Sequence, residues 1–264
     1  MRETLEQARA DSPEIATFID ALEANRAERA EAVRHHLDLT GLSYNRVREV
    51  IASQPSRQLG LVVLQRWGRA ASDEDLARAA ADLLAESDED RLISYLRIFG
   101  KRRFPLDPAP LLPLVRHAHT RLVAATFTML SHLTDARVRG LALDLLQDEQ
   151  VTGWARSRAV DLLVANYLAG DAERLAGWLS RSRDRDEFHA IGVGVRTVLE
   201  AHPSSGGAAA LLALYEYGPC SLCRTHAVEL LYGLSAVPTW MFEECRFDAV
   251  FDLRAKVETW LTLP

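Results

Sequence analysis

Apolar residues return at helical intervals along most of the chain. Between residues 135 and 148, Val138, Leu141, Ala142, Leu145 and Leu146 fall at i, i+3, i+4, i+7 and i+8, a single stripe down one helix face. The spacing recurs at Cys223, Ala227, Leu230, Leu231 and Leu234, and more loosely at Val250, Leu253, Val257 and Leu261. Residues 155–168 carry two apolar faces, Ala155, Ala159, Leu162 and Leu163 on one and Val160, Val164 and Leu168 on the other, which predicts a helix with neighbours on two sides. Sustained period-two alternation and Asn-Gly or Asp-Gly hairpin turns are missing, so the expected fold is all-α.

Punctuation divides this pattern into short helices. Ser72-Asp73, Ser87-Asp88 and Thr134-Asp135 offer side chains that cap a helix N-terminus, and Gly170-Asp171 joins a helix end to a helix start. Tyr217-Gly218-Pro219 is expected to stop one helix with a left-handed glycine and open the next with proline. Two longer connections stand out, Phe104 to Pro113 with its four prolines and His202 to Gly207. Neither is long enough for a linker, so residues 1–264 read as one continuous domain with a crease expected near 104–113.

The pattern also repeats. An arginine followed by a small or β-branched residue three later and apolar residues at six and seven occurs at Arg57, Arg139, Arg156, Arg224 and Arg254, with Arg121 fitting less fully. Intervals between Arg57, Arg121, Arg156, Arg224 and Arg254 are one or two units of about thirty to thirty-five residues, the length of a stacked helix pair, and Arg139 falls half a unit between. The stretch Asp135-Ala136-Arg137-Val138-Arg139-Gly140-Leu141-Ala142-Leu143-Asp144-Leu145-Leu146 resembles the second helix of the HEAT-repeat family. That resemblance covers roughly residues 55–262. It implies a right-handed α-solenoid of stacked antiparallel helix pairs, with Asp135 and Arg139 in a hydrogen-bonded ladder between units. Arg121 and Arg156 lack the aspartate four residues earlier, and residues 180–217 match poorly. The last fifty residues are also similar to a segment of bacterial HEAT-like proteins.

Composition narrows the function. Thirty-one basic against thirty-seven acidic residues give a net charge of −6, which argues against a surface that coats nucleic acid or anionic lipid. Only Lys101 and Lys256 are lysines, a skew that codon usage explains. Three cysteines cannot build a disulfide framework and suit a reducing cytoplasm. The N-terminal residues Met1 to Glu6 lack the apolar run of a secretory signal, and the longest aliphatic run, Ala208 to Leu214, is too short to span a bilayer.

Candidate chemistry is sparse. Cys220 and Cys223 form a C-x-x-C pair at an expected helix start, and His226 and Cys245 stand near enough in sequence to complete a four-ligand zinc set. The same cysteines extend an apolar stripe, so core packing is the favoured reading, with metal binding and redox chemistry as alternatives. The near pairs His35-His36 and His117/His119 point to opposite helix faces and suit solvation or capping. Gly192-Val193-Gly194 lacks the third glycine and the preceding strand of a dinucleotide loop, and is expected to let two helices approach closely. Acid pairs such as Glu243-Glu244 and Asp184/Asp186 read as solvated. Lys101-Arg102-Arg103 complements a helix C-terminus, whereas Arg181, Arg183 and Arg185, with Arg174 and Arg196, form a candidate basic patch. No catalytic, cofactor-binding or metal residue is therefore assigned. The function expected is a non-catalytic scaffold or adaptor that binds another protein, an accessory subunit of a bacterial multiprotein system. The alternatives are a DNA-binding or DNA-repair protein with a basic groove, a use to which some HEAT-like DNA glycosylases put the fold, and an enzyme with its site in residues 180–217.

Overall fold

A computed structural model describes residues 12–21, 38–151, 153–182 and 184–262. Among the described residues the chain is helical throughout and holds no strand. After a helical stretch at 13–21 come α1 (Tyr44–Ser53), α2 (Leu61–Ala70), α3 (Asp73–Ala85) and α4 (Glu89–Ile98). A 3₁₀ helix (Ala109–Arg116) leads into α5 (Thr120–Leu130), α6 (Ala136–Gln147), α7 (Gly153–Asp161), α8 (Asp171–Leu179) and α9 (Arg185–Ala201). A short 3₁₀ turn (Ser205–Gly207) precedes α10 (Ala208–Tyr217), α11 (Ser221–Gly233), α12 (Thr239–Cys245) and α13 (Phe251–Thr262).

The caps form where the side chains allow. Ser72 accepts the Asp75 amide at 3.1 Å, Asp88 the Arg91 amide at 3.0 Å and Asp135 the Arg137 amide at 2.8 Å, each satisfying an amide that the first helical turn leaves unpaired. Gly170 precedes α8 with φ +89°, a left-handed conformation that a side chain would resist. Gly218 is different: its φ is −67°, and it is glycine because an added Cβ would lie 2.2 Å from the Leu214 carbonyl oxygen. Pro219 stands before the cap of α11 rather than in its first turn, since Cys220 is the N-cap.

One contiguous core runs from Leu39 to Val257. Substantial packing joins only elements within three positions of one another along the chain, chiefly α2 on α4, α4 on α5, α7 on α9, α8 on α10 and α10 on α11. The stripe of α6 is buried at Val138, Ala142, Leu145 and Leu146. The proline-rich segment is held by Phe104, edge-on to Phe99 at 5.0 Å, and by buried Leu111 and Val115. Gly194 sits where α9 crosses α7, and a Cβ there would meet Val160 Cβ at 3.0 Å. The close approach expected of the Gly192-Val193-Gly194 segment is thus present.

Further sequence expectations need correction. The helix expected over 155–168 ends at Asp161, because Asn166 turns inward and donates to the Leu133 carbonyl at 2.7 Å and the Leu162 carbonyl at 2.9 Å, leaving Leu168 exposed. Arg57 lies exposed in the turn before α2 and is no counterpart of the other arginines, and Leu261 is exposed near the end of α13. The Asp135 carboxylate does not pair with the Arg139 guanidinium, although the Arg139 amide donates to the Asp135 carbonyl within the first turn of α6. The carboxylate pairs with Arg137 at 2.8 Å, while Arg139 reaches 32 residues forward to Asp171.

That reach is one of several. Arg156 contacts Glu187 at 3.2 Å, the Ser157 hydroxyl donates to the Ala190 carbonyl, Asn166 accepts the Asp135 amide, and Ser56 donates to Asp90 at 2.6 Å. These links join residues 31–34 apart, within the interval of the arginine pattern.

Candidate functional site

Two features combine exposed chemistry with a defined shape. The first is a groove of about 710 Å³ between α8, the start of α9 and the end of α10. Its walls include Ala176, Leu179, Phe188, Ala213 and Tyr217, with Asp184 and Arg185 at the rim. Asp184 caps α9 by accepting the Glu187 amide at 2.8 Å, which fixes this end of the helix. Tyr217 closes α10 and is 68% exposed, and Leu222 just beyond it is 64% exposed. The same length of chain, 180–217, matches the repeat pattern worst.

The second feature is a cluster of two thiols and an imidazole. Cys220 is the N-cap of α11 and Cys223 stands in its first turn, so both sulfurs lie at the helix start. His189, on α9, brings its Nδ1 to 3.8 Å from Cys223 Sγ, and one donor atom from each of the three residues falls within 4.8 Å of the others. Cys223 is buried, whereas Cys220 and His189 are half-buried. Burial, followed by contact with the Cys220 thiol, pushes the Cys223 thiol up to about 11. The Cys220 thiol is held below its ordinary range, first by the Cys223 backbone amide and also by that of Leu222, although neither closes a full capping hydrogen bond.

The structure therefore divides the proposed zinc set. Cys220 and Cys223 come together, but Cys245 is fully buried on α12, 3.4 Å from the Tyr215 hydroxyl, and His226 takes no part in the cluster. Cys245 belongs to the contiguous core, whereas Cys223 is buried beside His189 and Cys220, and Cys220 is half-buried. His189 was not singled out from sequence, though it precedes Cys223 by 34 residues, one interval of the pattern.

The candidate basic patch is also divided. Arg181 lines a concavity with Leu146, Gln147, Glu149 and Arg156, whereas Arg185 lines the α8–α10 groove. Each wall carries an acid, Glu149 in one and Asp184 in the other. Arg183 lies outside the described residues, as do His35 and His36. Arg196 is engaged by Glu200 at 2.5 Å, and Arg102 lies 3.4 Å from Asp73. His119 caps α5 by accepting the Leu122 amide at 3.3 Å, and His117 accepts the His119 amide at 3.1 Å, which fits the capping role expected of this pair. No helix among the described residues is long and apolar enough to cross a membrane. No protein-family model, curated protein or solved structure matches the chain.

Proposed function

We propose that the chain is a non-catalytic scaffold or adaptor, built as a right-handed α-solenoid of HEAT-like helix pairs, that holds a partner protein in the groove between α8, α9 and α10. The observation that carries this reading is the groove itself, where Phe188 and the exposed Tyr217 ring stand over an apolar floor. Packing that runs only between near neighbours, with polar links 31–34 residues apart, supports the serial stack. Such a stack leaves surface on its grooves that the core does not need, so recognition is free to differ while the fold is kept. A largely uncovered aromatic side chain is the kind of anchor that carries binding energy at protein interfaces. The partner surface suited to this groove is an apolar segment with a few polar groups for Asp184 and Arg185 to meet. A cytoplasmic accessory subunit in a bacterial multiprotein system is the concrete form of the proposal.

The competing reading is DNA binding through Arg181, Arg183 and Arg185. Acids in both concavities and the net charge of −6 weigh against it. Affinity capture from the native host, run side by side with wild-type protein and Tyr217→Glu, separates the two. The scaffold reading expects a protein partner that survives a raised-salt wash and is lost with Tyr217→Glu, together with duplex DNA binding no tighter than roughly 10 μM at physiological salt. Retention of every partner by the variant, or submicromolar duplex binding that falls steeply with salt, refutes it.

A further inference from the structure

Helix α11 begins against the flank of α9, and the residues at that joint are unusual for a packed interface. The C-x-x-C spacing places two sulfurs at one helix start, where unpaired amides and the helix dipole favour negative charge. His189 faces them from α9. We propose that His189, Cys220 and Cys223 bind one zinc ion at this joint, through Nδ1 and the two Sγ atoms, with the fourth coordination position left to water.

The dimensions suit the ion. Zinc–sulfur bonds of about 2.3 Å and zinc–nitrogen bonds of about 2.0–2.1 Å, arranged as a tetrahedron, set neighbouring donor atoms about 3.6–3.8 Å apart. The Cys223 Sγ to His189 Nδ1 distance is 3.8 Å, and all three donors lie within 4.8 Å of one another, so small rotations of the half-buried Cys220 and His189 side chains suffice to close the set. Two thiolates and an imidazole are the donor types that select zinc over magnesium or calcium. Their two negative charges balance the ion, and the nearby Arg196 guanidinium is occupied by Glu200. Partial exposure of Cys220 and His189 gives a hydrated ion a way in. Cys245 supplies the contrast: a fully buried thiol beside the Tyr215 hydroxyl, it is the ordinary core cysteine of this chain. Because the ligands come from α9 and α11, the ion would tie together two helices whose neighbouring residues, Phe188 and Tyr217, line the groove.

The test uses the full chain, purified under reducing conditions, titrated with Zn²⁺ against a chromophoric chelator and with Co²⁺ as a spectroscopic substitute. One ion per chain with submicromolar affinity, a thiolate-to-cobalt charge-transfer band and a raised Tm are expected. His189→Ala and Cys220→Ser should each weaken zinc binding at least about tenfold, while Cys245→Ser and His226→Gln leave it unchanged. Since Cys223 is buried and its replacement can disturb folding, the two half-buried ligands carry the decision. Binding that survives His189→Ala, binding lost with Cys245→Ser or His226→Gln, or no thiolate–cobalt band in folded wild-type protein overturns the site.

Discussion

Removing one guanidinium tests whether the links between successive segments hold the fold. Arg139 grips Asp171 with two bonds, at 2.5 and 2.7 Å, and its Nη1 also donates to the Asn166 carbonyl at 2.9 Å. The Asp171 side chain is 1% exposed and that of Arg139 16%, so the carboxylate depends on this partner far more than on water. Arg139→Met keeps the aliphatic length and strands the acid. Breaking a buried pair on one side costs about 3–5 kcal/mol, but Asp171 keeps the Leu168 amide at 2.8 Å and Arg174 at 4.0 Å, which lowers the expectation to about 2–4 kcal/mol. At about 2–4 °C per kcal/mol for a domain of this size, Tm should fall by about 5–15 °C. The pH dependence carries a sign. Burial pushes the Asp171 carboxyl up, but the Arg139 hydrogen bonds, the Leu168 amide and the charges of Arg139 and Arg174 outweigh it and hold the group below its ordinary value. Its contribution in the wild type is therefore complete above the unfolded carboxyl pKa and disappears as pH falls through the lower folded one. In Arg139→Met burial dominates, the stranded carboxyl is destabilising at neutral pH, and protonation relieves it. The gap between wild type and variant should narrow from pH 7 towards about pH 4, and Asp171→Asn added to Arg139→Met should restore part of the loss. Thermal melts decide the matter. A Tm within about 1 °C of wild type, or a double variant no more stable than the single one, refutes the role given to this pair.

Two further outcomes follow from the packing and the thiols. Gly194→Ala should destabilise by about 1–3 kcal/mol in urea unfolding, because its Cβ would lie 3.0 Å from Val160 Cβ and 3.1 Å from the Ser157 carbonyl oxygen. Gly140→Ala, in mid-helix with nothing within 4 Å of the new methyl, should be neutral or stabilising by up to about 1 kcal/mol, and equal effects at the two sites would defeat the packing account. In reduced, metal-free protein, Cys220 should react first with a disulfide reagent at neutral pH, with Cys223 and Cys245 slower because burial raises both. Cys223 or Cys245 reacting fastest in the folded state would contradict that order.

Helix identity was readable because it depends on local periodicity and capping chemistry, and α6 buries its sequence stripe at Val138, Ala142, Leu145 and Leu146, with Leu141 partly covered at the edge. Partners were less readable, because they depend on which segment folds against which. Asp135 and Arg139 stand together in the repeat pattern, but a helix cap already claims the Asp135 carboxylate, and the acid that pairs with Arg139 arrives 32 residues later at Asp171. Asn166 ends a helix that periodicity would have continued, and its effect operates through carbonyls at Leu133 and Leu162 that no local pattern marks. His189 shows the same limit from the other side. The C-x-x-C pair drew attention to His226, three residues from Cys223, yet in a chain folded in segments of about thirty-three residues the nearer neighbour in space is the one 34 residues back.

A chain whose helices touch only near neighbours must secure each joint locally, and this one does so in two ways. Through its first and middle parts the joints are polar: Arg97 donates to the Ser56 and Leu59 carbonyls at 2.6 and 2.8 Å, Arg139 holds Asp171, and Arg156 holds Glu187. Beyond α10, where Arg224 lies 3.6 Å from Asp248, an aromatic cluster is added to the polar links. Tyr232 stacks on Trp260 at 4.1 Å with Phe242 edge-on to both, and Arg224 lies over the Tyr215 ring at 4.7 Å. Apolar stripes alone would let one helix slide along another, whereas a bidentate pair or a carbonyl bond is satisfied in a single register. At the α9–α11 joint two thiols and an imidazole meet. A metal ion bound at that point would supply the directional, register-fixing link that ion pairs supply earlier in the chain, beside the groove assigned to the partner.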